Sequence, residues 1–522
     1  MKSMHLSFHP RLAIALCCIA MLLPSVGQAE IRLPAVIGDN MVVQAGDLVN
    51  LWGWADPNEE FQVKLSWHDA EWTTQADPQG EWSFRVASPE VGGPYKITLT
   101  GENTVTIENI LAGEVWVCSG QSNMQWPVRQ SANAEEEIAA AEYPKIRLFA
   151  VERNVAQTPQ EDCTGSWVEC SPETVAGFSA VGYYFGRELR KKLDMPVGLI
   201  HTSWGGTPAE AWTSRTMIER HPACAPILER YKETVARYPE AKAKYDKALE
   251  QWEEEAAKAR EQGEKPPQKP KKPRGPGHHH SPSGLYNAMV APLIPYTIRG
   301  AIWYQGESNA GRAYQYRELF PAMIRSWWDG WGETGFPFFF VQLANYRQVK
   351  DEPAESDWAE LREAQLMALN LPNTGMAVTI DIGEADDIHP KNKQDVGKRL
   401  ALWALAKTYG RDVVYSGPLY TSMEREDGKI VLHFDHVDGG LVAKGDGPLK
   451  GFAIAGEDRE FVWADARIEG DTVVVSSDRI EEPIAVRYAW ADNPVCNLYN
   501  EAGLPASPFR TDSWPGITVQ NK

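Results

Sequence analysis

The sequence predicts an α/β protein, a parallel sheet with helices on both faces, with β-rich regions before and after it. Three observations carry this. Apolar runs of strand length alternate with amphipathic helical segments through the middle of the chain, the pattern of a sheet buried on both faces. Short alternating segments separated by turn residues occupy the two ends. The chain has 522 residues, too many for one compact core, so two or three domains are expected.

The N-terminus reads as a leader. Lys2 and Arg11 precede the apolar run LAIALCCIAMLLP, and Gly27 and Ala29 stand where a signal peptidase requires small residues. Residues 1–29 are expected to be a cleavable secretory signal, their apolar part too short for a membrane span. A secreted or periplasmic location follows, with no membrane contact beyond that signal. Losing Lys2 and Arg11 takes the net charge from −19 to −21. So acidic a protein should repel nucleic acid and anionic membranes. Neutral or weakly charged sugars remain open as ligands. Twenty tryptophans is a high count, and although most belong in the core, exposed ones stack well on sugar rings.

Residues 30–110 read as a small β-sandwich. FQVKLSW (61–67) and YKITL (95–99) alternate apolar and polar residues, and DPQGEW and VGGPY supply turns. From 111 to 415 the pattern changes to strand, loop, helix. EVWVC (114–118), IRLFAV (146–151), VGLIHTSW (197–204), IRGAIWY (298–304), FFFVQL (338–343) and MAVTIDI (376–382) are the strands. Phe178, Val181, Phe185 and Leu189 mark a helix over 178–193, and Val396, Leu400, Trp403 and Ala404 mark another over 392–409. Residues 216–283 interrupt this, first as a Glu-, Lys- and Ala-rich helical hairpin, then as the Pro-rich linker KPPQKPKKPRGPGHHHSPS. Leaving just after GGTPAEAW, the insertion is either a solvated arm or a lid. Residues 416–522 return to β with KIVLHF, TVVVSS and AVRYAW.

Five cysteines remain in the mature chain: Cys118, Cys163, Cys170, Cys224 and Cys496. That is an odd number at low density, so there is no disulfide scaffold, although Cys163 and Cys170 could bridge. No pair has zinc-ligand spacing, and the His triplet 278–280 lies in the linker, so no metal is expected.

The polar clusters all stand where a strand ends. Ser122 follows 114–118, Gly205 and Gly206 follow 197–204, Glu307 and Asn309 follow 298–304, and Asp386, Asp387 and His389 follow 376–382. Ligands bind beyond the C-terminal strand ends of such sheets, so four loops can share one pocket. A serine hydroxyl becomes a nucleophile when a base takes its proton, and His389 titrates in the right range. A carboxylate must hold the imidazole tautomer. The N–H groups of Ser122 and Gly206 and the Asn309 amide can supply an oxyanion hole. Each motif alone is an ordinary turn or helix entry; their common position makes them a set. The G-x-S-x-G signature is absent, because Met124 replaces the second glycine.

The blocks GEVWVCSGQSNMQW, TSWGGTPAEAW, GAIWYQGESNA and DIHPKNKQDVGKRLA resemble the sialate O-acetylesterase family of carbohydrate esterases, within the SGNH (GDSL-like) hydrolases. IRLPAVIGDNMVVQ near the start and GFAIAGEDREFVWADA and GLPASPFRTD near the end extend the resemblance over nearly the whole mature chain. It implies an SGNH, flavodoxin-like sheet and a cofactor-free esterase that removes acetyl groups from glycan hydroxyls. Ser122 becomes the nucleophile and His389 the base, with Gly206 and Asn309 completing the oxyanion hole. SGNH enzymes place an Asp three residues before the His, which ranks Asp386 first as the acid. Glu307, in the Q-G-E motif, is second, and Asp387 is the further alternative. Gln121, Trp126, Arg129, Gln305 and Arg312 neighbour these loops in sequence and are expected to contact substrate. An anionic sugar requires a basic anchor, for which Arg129 and Arg312 are the nearest arginines. Xylan or another acetylated polysaccharide is the alternative substrate, and a non-catalytic glycan-binding protein the alternative function.

Overall fold

The structure, a computed structural model, describes residue 1, residues 30–333 and residues 335–521. The expected leader lies, Met1 apart, outside them. No helix among the described residues is long and apolar enough to cross a membrane.

The organising element is strand β1, Thr104–Gly120. Its first half pairs with Gly92–Thr100 and with Val42–Gln44, and its second half lies at the centre of the main sheet. The 110/111 division drawn from sequence therefore falls inside one unbroken strand. The other parallel strands are β2 (Tyr143–Ala150), β3 (Val197–Ser203), β4 (Gly300–Tyr304), β5 (Phe338–Val341) and β6 (Thr374–Ala377). Across the sheet they run β6-β5-β4-β1-β3-β2, with Trp167–Cys170 antiparallel at the β2 edge.

This order corrects the flavodoxin-like expectation, in which the first strand separates the second from the third. Here β3 lies between β1 and β2. The connection from β1 to β2 spans residues 121–142 and skips one strand position, leaving a slot about 4.8 Å wide that β3 fills. The chain leaves β1 towards β2 and leaves β4 in the opposite direction, towards β5. The crevice of the sheet therefore opens between β1 and β4.

Helices α1 (Ala180–Leu193), α2 (Ala225–Glu261), α3 (Ala313–Trp331), α4 (Asp357–Met367) and α5 (Lys393–Trp403) complete the frame. Helix α1 starts where the Ser179 side chain accepts the Gly182 N–H and stops where Asp194 turns left-handed at φ 57°. It packs with α5 on one face of the sheet, where Phe185 meets the Trp116 ring at 5.0 Å. Helices α3 and α4 pack together on the other face, where Phe320 meets Phe340 at 5.0 Å. Each fully buried phenylalanine contributes roughly 1.5–3 kcal/mol.

Ahead of the sheet, the pair Leu48–Trp54 and Glu81–Ala87 lies over Glu60–Leu65, with Phe61 against Trp82 at 5.0 Å. Residues after 416 form further antiparallel pairs, including Lys429–Asp435 with Thr472–Ser476 and Phe452–Ala455 with Ala485–Tyr488.

The insertion is not a helical hairpin. After the short helix Arg215–Arg220 it forms the 37-residue helix α2, and the chain returns along it in extended form. The return segment is held by Trp252 Nε1 donating to the Pro267 carbonyl at 2.7 Å and by Gly275 against the Tyr238 ring. Its prolines lack the N–H that a second helix needs. Cys163 and Cys170 are free thiols, and Cys170 Sγ instead points at the Ala141 carbonyl, 3.8 Å away.

Candidate active site

Strand register aligns three loops. Gly120 pairs with Ser203 on one side and Tyr304 on the other, so Ser122, Gly205 and Gly306 each stand two residues beyond one line. Gly120 is what lets β1 end there. Its φ is +140°, and a Cβ would lie 2.1 Å from the Tyr304 carbonyl oxygen. The Gln121 N–H closes the turn on that same carbonyl at 2.9 Å. Ser122 then opens the helical turn Ser122–Gln125, where the first N–H groups have no intrahelical partner.

Asn123 joins this turn to the histidine loop. Its Nδ2 donates to the Ile388 carbonyl at 3.0 Å and to Glu307 Oε1 at 2.6 Å, and its Oδ1 accepts from Lys393 Nζ at 2.5 Å. Ser122 and His389 are thus each one residue from a direct bond between their loops. The His389 ring stacks on Trp126, with 5.0 Å between centroids and 13° between planes.

The imidazole's carboxylate partner is Asp387, not Asp386. Asp387 Oδ1 lies 3.5 Å from His389 Nδ1 and accepts the His389 backbone N–H at 2.9 Å. This side chain folding onto a backbone N–H two residues on is an Asx turn, which makes the short spacing workable. Asp386 points outward and accepts from Gln348 Nε2 at 2.8 Å. Glu307 faces Asn123, with Oε2 buried and unpartnered, and burial raises its pKa.

Lys393 carried no expectation from sequence. It is fully buried at the first position of α5, where a positive charge also opposes the helix dipole. Burial lowers its pKa to about 7. Burial and the Lys393 charge together lower the His389 pKa, against the pull of Asp387.

The oxyanion candidates converge from the other side. Gly205 lies against Ser122, with a Cβ there 3.2 Å from the Ser122 Cβ, and its N–H donates to Gln125 Oε1 at 2.7 Å. Gly206 takes φ +73°. Asn309 accepts from the Ala209 N–H and from Gln305 Nε2, and its Nδ2 donates to Glu210 at 3.0 Å. A primary amide has two N–H bonds, so one remains for a ligand.

One expected substrate contact is corrected. Gln305 is buried, bonding Thr207 and Asn309 through Nε2 and accepting from Tyr316 through Oε1. Gln121 is buried and accepts the Ser308 N–H at 3.3 Å. Gln305 holds its loop and has no free polar atom left for a sugar. Arg129 is exposed, with its guanidinium beside Gly177. Arg312 does line a cavity.

That cavity, about 360 Å³, is bounded by Gly206 and Ser308 on the catalytic side and by Arg230 and Arg274 of the insertion. Glu210 bonds Arg312 at 2.7 Å and lies 3.7 Å from Arg230. Arg312 Nε and Arg230 Nη1 are buried without partners. Three arginines against one carboxylate leave two positive charges in excess. His278 and His280 belong to this wall. His279 stacks on Trp204 at 5.0 Å, and burial, with Arg274 nearby, lowers His278 to about 4 and His280 to about 3. The three rings' nitrogens lie within 4.8 Å of one another. The charges acting on them are those of Arg274, Arg153 and Lys272, which repel a dication and suit an anion.

A sheet whose crevice opens beside a serine and an imidazole, their loops tied by one asparagine, has the parts that ester hydrolysis requires. Comparison with known proteins agrees. The profile of the family described as "Carbohydrate esterase, sialic acid-specific acetylesterase" matches residues 112–263 and 277–406. The mouse (Mus musculus) sialate O-acetylesterase is 31% identical over 96% of this chain and 97% of its own. The human (Homo sapiens) sialate O-acetylesterase is 30% identical over 93% and 94%. The crystal structure of XAC1771, a carbohydrate acetylesterase from Xanthomonas citri, superimposes with TM-score 0.79 at 37% identity, over 93% of this chain and all of that one. The chain belongs to this sialic acid-specific acetylesterase family of carbohydrate esterases. It is a carbohydrate O-acetylesterase.

Proposed function

We propose that the esterase is of SGNH type and works through Ser122, His389 and Asp387. The observation that carries this is the Asn123 bridge, which bonds the serine turn to the residue before His389. Ser122 Oγ attacks the acetyl carbonyl carbon while His389 Nε2 accepts its proton. The oxyanion is received by the N–H groups of Ser122 and Gly206 and the free N–H of Asn309. The C–O bond to the sugar breaks, and His389 returns the proton to the departing hydroxyl. Water, deprotonated by His389, then attacks the acetyl-enzyme, releasing acetate and restoring Ser122. Asp387 holds the Nδ1 side of the imidazole, and Trp126 braces one ring face.

The substrate is an acetylated sugar bearing an anionic group. The relatives are named for sialate, and the cavity beside Gly206 has two uncompensated positive charges. Arg230, Arg274 and Arg312 form the basic anchor such a sugar requires. The leader composition of residues 1–29 favours a secreted or periplasmic site of action.

The test is acetate release from O-acetylated sialic acid and from acetylated xylan, beside a Ser122→Ala control. Ser122-dependent release, faster from sialic acid, is expected. Equal release by the variant removes the serine mechanism, and preference for xylan removes the anionic substrate.

A further inference from the structure

Large apolar side chains are exposed at few places among the described residues, and three of them meet in one cleft. Trp463, Val349 and Val495 are 43%, 51% and 53% exposed, and all line a cavity of about 380 Å³ remote in sequence from the catalytic serine. A second cavity of about 300 Å³ adjoins it and shares Trp463 and Trp490 as walls. Isolated exposed apolar residues are unremarkable; a cluster in a concave site marks binding.

The cleft is built in advance of any ligand. Trp463 Nε1 donates to the Asp351 carbonyl at 2.6 Å, which fixes the indole. Arg347 bonds Asp492 at 3.0 Å, and Asn493 Nδ2 donates to the Arg347 carbonyl at 2.6 Å, which locks the 345–354 loop to the C-terminal region. Trp490 is buried, and its Nε1 is an unpartnered donor. A buried indole N–H normally has a partner.

Charge selects the class of ligand. The ionised groups lining the larger cavity are Lys350, Lys450, Asp351 and Glu352, which sum to zero. A neutral ligand with apolar faces and hydroxyl edges fits, and a pyranose ring offers both. The chain that forms the 349–354 wall of the cleft is bonded, just before it, to the histidine loop. The Arg347 N–H donates to the Ala385 carbonyl at 3.0 Å, and Gln348 bonds Asp386 at 2.8 Å, three residues before His389.

We infer that this cleft is a subsite for neutral sugar units further along the glycan that carries the acetyl ester. It rests on the esterase reading above and extends it from a single sugar to a chain. Trp463 supplies the stacking platform.

The test is isothermal titration of xylohexaose, cellohexaose and maltohexaose into full-length Ser122→Ala protein, then into the same protein carrying Trp463→Ala or Val495→Asp. Both second positions are exposed, and circular dichroism checks that each variant is folded. At least one hexasaccharide is expected to bind, with affinity about tenfold weaker in each double variant. Binding of none, or equal binding in folded double variants, overturns the subsite. Concentration-dependent self-association abolished by Val495→Asp also overturns it and makes the cleft an interface between copies. Ser122-dependent turnover of p-nitrophenyl acetate by otherwise unaltered protein, read in parallel, reports on the esterase reading alone.

Discussion

Asn123 Nδ2 lies 3.0 Å from the carbonyl oxygen of Ile388, and this bond links the two halves of the candidate catalytic apparatus. The same side chain also accepts from Lys393 and donates to Glu307. Every hydrogen-bonding edge of one amide is therefore committed to holding two loops in register. Asn123→Ala is expected to lower kcat on p-nitrophenyl acetate by about a hundredfold with little change in KM, because misplacement penalises the reaction more than binding. Steady-state kinetics on the folded variant checks this; a change confined to KM would contradict it.

Asp387 and Asp386 separate cleanly by mutation. Asp387→Asn removes the charge beside Nδ1 and should reduce kcat by on the order of a hundredfold or more. Asp386→Asn keeps an acceptor for Gln348 and should leave kcat within about twofold. Kinetics of the two variants side by side decides between the carboxylates.

The pH profile reports on Lys393. A general base works when unprotonated, and the His389 pKa is held below its ordinary value by burial and by the Lys393 charge. The acid limb of kcat/KM should therefore lie below about pH 6.5. Where His389 titrates, Lys393 is protonated, since its own pKa is about 7. Lys393→Met removes a repelling charge, so the acid limb should move to higher pH. A limb that stays in place, in a folded variant, refutes the coupling.

The arginine cavity separates substrates. Arg230→Ala and Arg274→Ala should raise KM for O-acetylated sialic acid by about tenfold or more, the worth of one charged hydrogen bond. Hydrolysis of p-nitrophenyl acetate, which carries no anionic group for the cavity, should be unchanged. Equal effects on both substrates would assign these arginines to structure.

Gly120 is a stability position. Gly120→Ala places a Cβ 2.1 Å from a backbone oxygen that cannot yield cheaply, at φ +140°. A loss of about 2 kcal/mol or more is expected, read as a lower urea midpoint. An unchanged midpoint would mean that the turn can relax.

Local pattern carried much of this. Apolar runs marked five of the six parallel strands, because a sheet covered on both faces needs side chains of one kind throughout, whereas the run 376–382 overlaps strand β6 (Thr374–Ala377) only at its first two residues. Small polar turns after those runs picked out the loops that hold the candidates Ser122, Gly206, Asn309 and His389, since ligands bind where the strands of such sheets end. The helical character of 225–261 was visible as composition but suggested a hairpin of two helices, whereas the prolines after it did mark an extended segment.

What the sequence by itself determined was the alternation of elements, the four loops and the family. What only the tertiary structure decided was which side chains face each other across long separations. Periodicity cannot reveal that Gln121 and Gln305 turn inward, that Asp386 turns away from the imidazole its spacing suggests, or that Lys393 is buried beneath Asn123. Nor can it show that Arg230 and Arg274, on an insertion with an ordinary solvated composition, wall a cavity beside Gly206. The reason is physical. Local patterns follow from the backbone's own geometry, whereas a side chain's partner and its charge state depend on what the rest of the chain brings within a few ångströms.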